Sequence, residues 1–169
     1  MIACIDVCYD NGASTLATAA CVVISDWSAA QPVAEYVRRV AGVGEYVSGQ
    51  FYQRELPCAL GVLELVEQPL ELIVVDGYVV LDADGTLGMG GHLYDALDWR
   101  TPIIGVAKSR FHANTAAVEV CRGRSKRPLF VTALGVDRQV AADNVQRMHG
   151  EHRLPTILKR VDRLCRDTR

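Results

Sequence analysis

Three acids stand where an acid is costly. Asp6 lies inside the apolar run ACIDVCY, Asp76 ends the aliphatic run LELIVVD, and Glu55 sits near the start of FYQRELPCALGVLELVEQP. An ionised carboxylate placed in an apolar strand needs a partner, because lost hydration is otherwise uncompensated. A divalent cation is one such partner; an arginine or a hydrogen-bonded turn is another. Hard cations prefer oxygen ligands, so two acids on adjacent strands can share one Mg²⁺, with Glu55 as a third carboxylate. The competing readings are ordinary ones. Asp76 could start a turn, Asp6 could be a satisfied core acid, and Glu55 could face the helix dipole.

The elements that must position these acids follow from hydrophobic period and turn residues. MIACIDVCY, TLATAACVVIS and PVAEYVRRVAG read as three strands joined by short polar turns, hence an antiparallel meander. GVGEYVSGQ is a Gly-rich loop. The next segment has apolar residues at 56, 60, 63 and 66, a helical period, with Pro57 near its first turn and Pro69 past its end. LELIVVD and TPIIGVAKS are buried strands, separated by an Asp- and Gly-rich loop and a short helix over GHLYDALDW. AAVEVC and RPLFVTAL flank the basic turn RGRSK. Two helices close the chain, and the last carries an apolar stripe at 154, 157, 158, 161 and 164. Three strands followed by alternating helices and strands predict an α/β fold with a mixed central sheet flanked by helices. In such sheets ligands bind beyond the strand C-terminal ends, where Asp76 falls.

Length and composition predict one domain over residues 1–169, since 169 residues with 50% hydrophobic content suffice for a full core. The apolar runs are strand-sized and too short to span a bilayer, so no membrane partner is expected. The N-terminus lacks a basic region and reaches an acid at residue 6, unlike an export signal, which places the expected protein in the cytoplasm. The six cysteines are scattered, none in a CxxC pair, and read as buried thiols rather than disulfides or zinc ligands. The net charge of −2 hides an asymmetry. Residues 1–99 hold 3 Lys/Arg and 14 Asp/Glu, whereas residues 100–169 hold 15 and 6. A basic half can meet phosphates and an acidic half can hold a cation, although the two can also neutralise each other. GMGG lacks the Lys-Ser/Thr of a phosphate-binding loop, and Ser109 has no base at a recognisable spacing.

Five segments in order resemble the motifs of endonuclease V: IDVCY around Asp6, YVSGQFYQREL (46–56), IVVDG (73–77), LGMGGHL (87–93) and TPIIGVAKSR (101–110). RLPTILKRVDRLCR is similar to that family's terminal helix. The resemblance implies a ribonuclease H-like fold and an Mg²⁺-dependent enzyme, with Mn²⁺ as a substitute, that nicks nucleic acid 3′ to a deaminated base, chiefly inosine, in DNA repair. It implies that Asp6, Asp76 and Glu55 hold the metal and that Lys108 sits by the reacting phosphate. Gly49 and Gly77 would line the base pocket, and Tyr46 would be the wedge that fills the gap left by an extruded base. The basic segments 122–127 and 153–169 would contact the nucleic-acid backbone of a monomeric enzyme.

Several positions depart from the family pattern. The wedge is Glu45-Tyr46-Val47-Ser48 instead of Pro-Tyr-Ile-Pro, and Tyr78-Val79 follows the Asp-Gly pair. DADGT (82–86) replaces a basic stretch. Val136-Asp137-Arg138 stands where the family has Gly-His-Arg, so Asp137 becomes a further metal-ligand candidate and Arg138 a substrate-binding one. These departures keep two alternatives open: a metal-dependent nuclease acting on RNA or on structured or single-stranded DNA, and a catalytically weak nucleic-acid-binding homologue.

Overall fold

The computed structural model describes residues 1–9, 16–42, 52–111 and 114–167. Strands β1 (Ile2–Tyr9), β2 (Ala17–Ile24) and β3 (Ala34–Val40) form the expected antiparallel meander. β4 (Leu72–Asp76) then lies parallel to β1, and β5 (Ile103–Ala107) parallel to β4. Beyond β5 the pairing turns antiparallel again, through β7 (Leu129–Leu134) to β6 (Val118–Val120). The short basic turn between β6 and β7 explains this edge, since so brief a connection can only join antiparallel neighbours. The order across the sheet is β3-β2-β1-β4-β5-β7-β6.

Successive residues of the central strands face opposite layers. Val22, Val74, Ile104 and Val131 pack under α3 (Arg138–Arg147) and α4 (Thr156–Asp167). Val23, Ile73, Val75 and Ile103 share a core with residues of α1 (Tyr52–Leu63) and α2 (Met89–Ala96) on the other face. Among the described residues no helix is long and apolar enough to cross a membrane.

Both functional helices keep the expected period but turn their faces slightly. In α1 the buried stripe is Glu55, Cys58, Ala59 and Val62, while Leu56, Leu60, Leu63 and Val66 pack at its margin. An acid therefore sits on the inward stripe. Pro57 lies in the second turn of the described helix rather than the first. In α4 the buried stripe is Ile157, Leu158, Val161 and Cys165, and Leu154 and Leu164 flank it.

Two packing details fix the cleft wall and the approach to α4. Gly105 on β5 faces the backbone that leaves β4: an added Cβ would stand 2.5 Å from the Gly77 carbonyl oxygen and 2.8 Å from the Val79 nitrogen. The Val79 N–H donates to the buried Thr132 hydroxyl at 2.9 Å. The turn after Asp76 is thus pressed against β5 and β7. On the other face, the Arg122 side chain turns inward, contrary to its expected contact with nucleic acid. Its guanidinium donates to the carbonyls of Gln146 (3.3 Å), His152 (3.0 Å), Gly150 (3.1 Å) and Met148, with a longer bond to Arg153. These carbonyls belong to the end of α3 and the loop that delivers α4. Burial pulls the Arg122 pKa down, so the carbonyls must offset the lost hydration.

Two stability outcomes follow from this packing. Gly105→Ala forces backbone apart and should cost about 1–3 kcal/mol in urea unfolding. Arg122→Met leaves several buried carbonyls unpaired and should cost roughly 2–4 kcal/mol on the same assay. A loss within a few tenths of a kcal/mol for either variant would refute the corresponding account.

Candidate metal and nucleic-acid site

Parallel pairing of β1 with β4 puts Ile5 beside Val75, so Asp6 and Asp76 emerge together at the C-terminal end of the sheet. A third acid joins them from α4. One oxygen-bearing ligand atom from each of Asp6, Asp76 and Asp162 lies within 4.8 Å of the others. Asp162 has no assigned role in the sequence reading. Its place follows from the stripe 157, 158, 161 and 165, which turns the residue after Val161 toward the strand ends. Asp162 is also the sole acid in the run KRVDRLCR.

The electrostatics express crowding. Burial, and then the charge of Asp76, push the Asp6 carboxyl up to about 7, against the Val7 N–H that donates to its Oδ1 at 2.9 Å. Glu55 is buried in the first turn of α1, on the same cleft; burial, followed by the charges of Asp6 and Asp76, raises it to about 8. Glu55 is not one of the three acids whose oxygens gather, although it lines the same cleft. Lys108, just past β5, donates to Asp76 Oδ2 at 2.6 Å and approaches Asp162 Oδ1 at 3.5 Å. Partial burial works against its charge, but the hydrogen bond to Asp76 and the neighbouring acids hold its pKa above the usual lysine value. Asp162 is partly buried too. Even so, the Arg166 guanidinium at 2.9 Å and the Lys108 charge keep its carboxyl below the usual range.

A cavity of about 950 Å³ opens beside the acids. Asp6, Glu55, Asp76, Gly77 and Asp162 line it together with Tyr52, Tyr78, His92 and Phe111. The Tyr52 and His92 rings stack with centroids 3.6 Å apart and planes 14° from parallel. His92 thus packs on α1 and does not belong to the gathered acids. The Tyr78 hydroxyl donates to the Ser109 carbonyl at 2.8 Å and accepts from the Phe111 N–H at 3.1 Å, which fixes a second aromatic wall. Gly77 follows Asp76 with φ +124°, a conformation that favours glycine. Three carboxylate groups on one edge, at mutually repelling distances, suit a hard divalent cation, because it supplies the missing positive charge.

The remaining candidates are placed elsewhere. Asp137 caps α3, its Oδ1 accepting from the N–H groups of Gln139 and Val140, and it is not brought to the acids. A carboxylate at an N-cap satisfies orphan helix donors, which accounts for this acid. Arg138 donates to the Ala116 carbonyl at 2.8 Å and does not line the cavity. Tyr46 and Gly49 lie outside the described residues. Among the basic residues, Lys159 and Arg163 project from the exposed side of α4, and Arg124, Lys126 and Arg127 from the β6–β7 turn.

Comparison with known proteins gives the family. Residues 1–136 match the family described as Endonuclease V. Endonuclease V of Streptomyces coelicolor is 31% identical over 183 residues, covering 96% of this chain and 76% of that protein. The solved endonuclease V of Streptomyces avermitilis superposes with a TM-score of 0.79 at 28% identity, covering 99% of this chain and 80% of that one. Endonuclease V of Ciona intestinalis, solved with a 24mer DNA containing an inosine followed by a ribo-adenosine, has a TM-score of 0.81 at 19% identity over 99% of this chain and 84% of that one. The fold is accordingly ribonuclease H-like, in agreement with the expectation. With a family match over residues 1–136 and 31% identity to a curated relative, this chain belongs to the endonuclease V family.

Proposed function

We propose that this protein is a Mg²⁺-dependent endonuclease that nicks nucleic acid 3′ to a deaminated base, inosine foremost, and serves in DNA repair. The observation that carries the reading is the trio Asp6, Asp76 and Asp162, gathered within 4.8 Å on the edge of a nucleotide-sized cleft. Binding of inosine-containing DNA by the Ciona relative supports the substrate class. Mn²⁺ should substitute, because both ions favour oxygen ligands.

The three aspartates would hold the cation. When bound, Mg²⁺ supplies charge neutralisation at the scissile phosphate and acidifies a coordinated water. Lys108, whose Nζ lies at the same carboxylates, would add positive charge for the phosphate oxygens. Glu55 lines the cleft beside the aspartates and would take or return a proton there. The aromatic pairs Tyr52–His92 and Tyr78–Phe111 exclude water on either side and offer flat faces to an unstacked base. Gly77 lets backbone approach the base closely. Lys159 and Arg163 give α4 a positive outer face for the phosphate chain.

A second reading keeps the chemistry and changes the substrate to RNA or single strands. It is favoured by the turn at Asp82, whose Oδ1 accepts from the Asp84 and Thr86 N–H groups. This acidic turn stands on the cleft side, since Leu81 and Thr86 line the cavity, and it would repel a second strand. Matched inosine and guanine substrates, in single- and double-stranded DNA and RNA, distinguish the two readings.

Asp76→Asn should keep the fold and lower cleavage of an inosine-containing strand at least roughly 100-fold. Circular dichroism and strand cleavage with Mg²⁺, Mn²⁺ and EDTA test this, and unabated cleavage by the folded variant would refute the ligand assignment. A pH profile provides a separate test. The folded-state values of Asp6 and Glu55, about 7 and about 8, exceed their ordinary values of 3.8 and 4.5. The cation-free folded protein therefore binds more protons than the unfolded chain across this window, and their contribution to stability is lost as pH rises through it. In EDTA the Tm should fall between pH of about 5 and about 8, and Mg²⁺ should restore more of it at the higher pH. Glu55→Gln should flatten the decline; a flat wild-type profile would overturn the crowded-acid account.

A further inference from the structure

Two thiols lie between the elements that supply Asp6 and Asp162. Cys8 follows Asp6 by two residues on β1, so both point toward the layer of α3 and α4. Cys165 follows Asp162 by three residues on α4 and returns to nearly the same helix face. The Cys8 thiol donates to the Cys165 carbonyl at 2.9 Å, and the Cys165 thiol in turn approaches the carbonyl of Asp6, two residues before Cys8, at 3.5 Å. The Cys165 thiol also donates to the Thr18 carbonyl at 2.9 Å. The pair joins positions 157 residues apart. Both cysteines are free thiols; Cys165 is buried, whereas Cys8 is half-buried and lines the cleft, where a small oxidant can reach it.

We propose that Cys8 and Cys165 form a reversible disulfide that staples the Asp162-bearing helix to the Asp6-bearing strand. The link runs alongside the Asp6–Asp162 contact, one step further along both elements. In the absence of a cation those acids repel, and the repulsion acts directly against the docking of α4. A cation relieves it by bridging the acids, and the disulfide opposes it by bridging their neighbours. The staple does not require the nuclease reading to hold.

The chemistry balances with a hydroperoxide as oxidant. The Cys8 sulfur attacks one peroxide oxygen, the O–O bond breaks, and water leaves, so Cys8 becomes a sulfenic acid. The Cys165 sulfur then attacks the Cys8 sulfur, the S–O bond breaks, and a second water leaves with the thiol proton. Two electrons pass from the two thiols to the peroxide, and a dithiol reductant reverses the step. Closing the link costs the hydrogen bond from Cys165 to Thr18. In exchange it constrains nearly the whole chain in the unfolded state, where a long closed loop has the largest effect.

The test treats the full-length reduced protein with hydrogen peroxide in EDTA, then maps peptides by mass without reduction. The expected result is a linked pair of peptides bearing Cys8 and Cys165, each short of one hydrogen, and recovery of both thiols with dithiothreitol. The oxidised protein should melt roughly 5 °C or more above the reduced one in EDTA, with slower amide exchange in α4. Cys8→Ser should abolish both the link and the shift. Because Cys8 is half-buried, that variant keeps the test valid even if Cys165→Ala fails to fold. The proposal is overturned if both thiols remain free at a dose that oxidises the exposed Cys121. It is equally overturned if the link forms with no rise in melting temperature or in α4 protection.

Discussion

Repulsion among Asp6, Asp76 and Asp162 is the constraint that the rest of this molecule works against. At their separations, two ionised carboxylates repel by roughly 3 kcal/mol at the effective dielectric of a protein edge. The chain meets this in two ways. It keeps part of the charge off, holding Asp6 and Glu55 protonated across most of the acid range. It also brings cations to the rim, Lys108 from the end of β5 and Arg166 from α4. Neither removes the conflict, and a divalent ion would resolve it. Crowded acids of this kind weaken a fold unless a counter-charge offsets them.

That packing comes from backbone as much as from side chains. Asp76 ends a five-residue strand, so its position depends on the turn that follows. The turn is held by the missing Cβ of Gly105 on one side and by the Thr132 hydroxyl on the other. The start of α2 approaches the same segment, and an added Cβ on Gly91 would meet the Val79 carbonyl oxygen at 2.5 Å. At the opposite layer, Arg122 gathers the carbonyls that precede α4 and so sets where that helix begins. The site is therefore supported from both faces of the sheet.

Much of this was legible in the sequence, because burial leaves a local mark. Asp6 and Asp76 stood out as acids in apolar strands, and the strand-helix alternation gave the mixed sheet. Glu55 was visible at the helix start, although its inward direction was not. The apolar spacing 56, 60, 63 and 66 marks the margin of α1, and the small residues Cys58 and Ala59 let the true contact stripe fall on 55, 58, 59 and 62. Asp162 was hidden for a similar reason. Reading Leu164 into the stripe of α4, in place of Cys165, turns Asp162 outward by part of a turn. Asp137 is the converse case: an acid before AADNV that the sequence allows equally as a ligand or as a helix N-cap, and the structure places it at the cap of α3. Arg122 carries no sign in the sequence that it is buried, since the carbonyls that receive it come from 24 to 31 residues away.

The three gathered acids come from the first strand, the middle of the chain and the last described helix. Synthesis delivers them in that order, and folding must wait for the last. While α4 is undocked, β1 and β4 can pair and present two carboxylates, yet the third carboxylate is missing and the cleft lacks Asp162 and Arg166 from its lining. Gathering of the acid trio is thus coupled to completeness of the fold: a chain that is partly made, clipped before residue 162 or locally frayed at α4 does not bring the three carboxylates together.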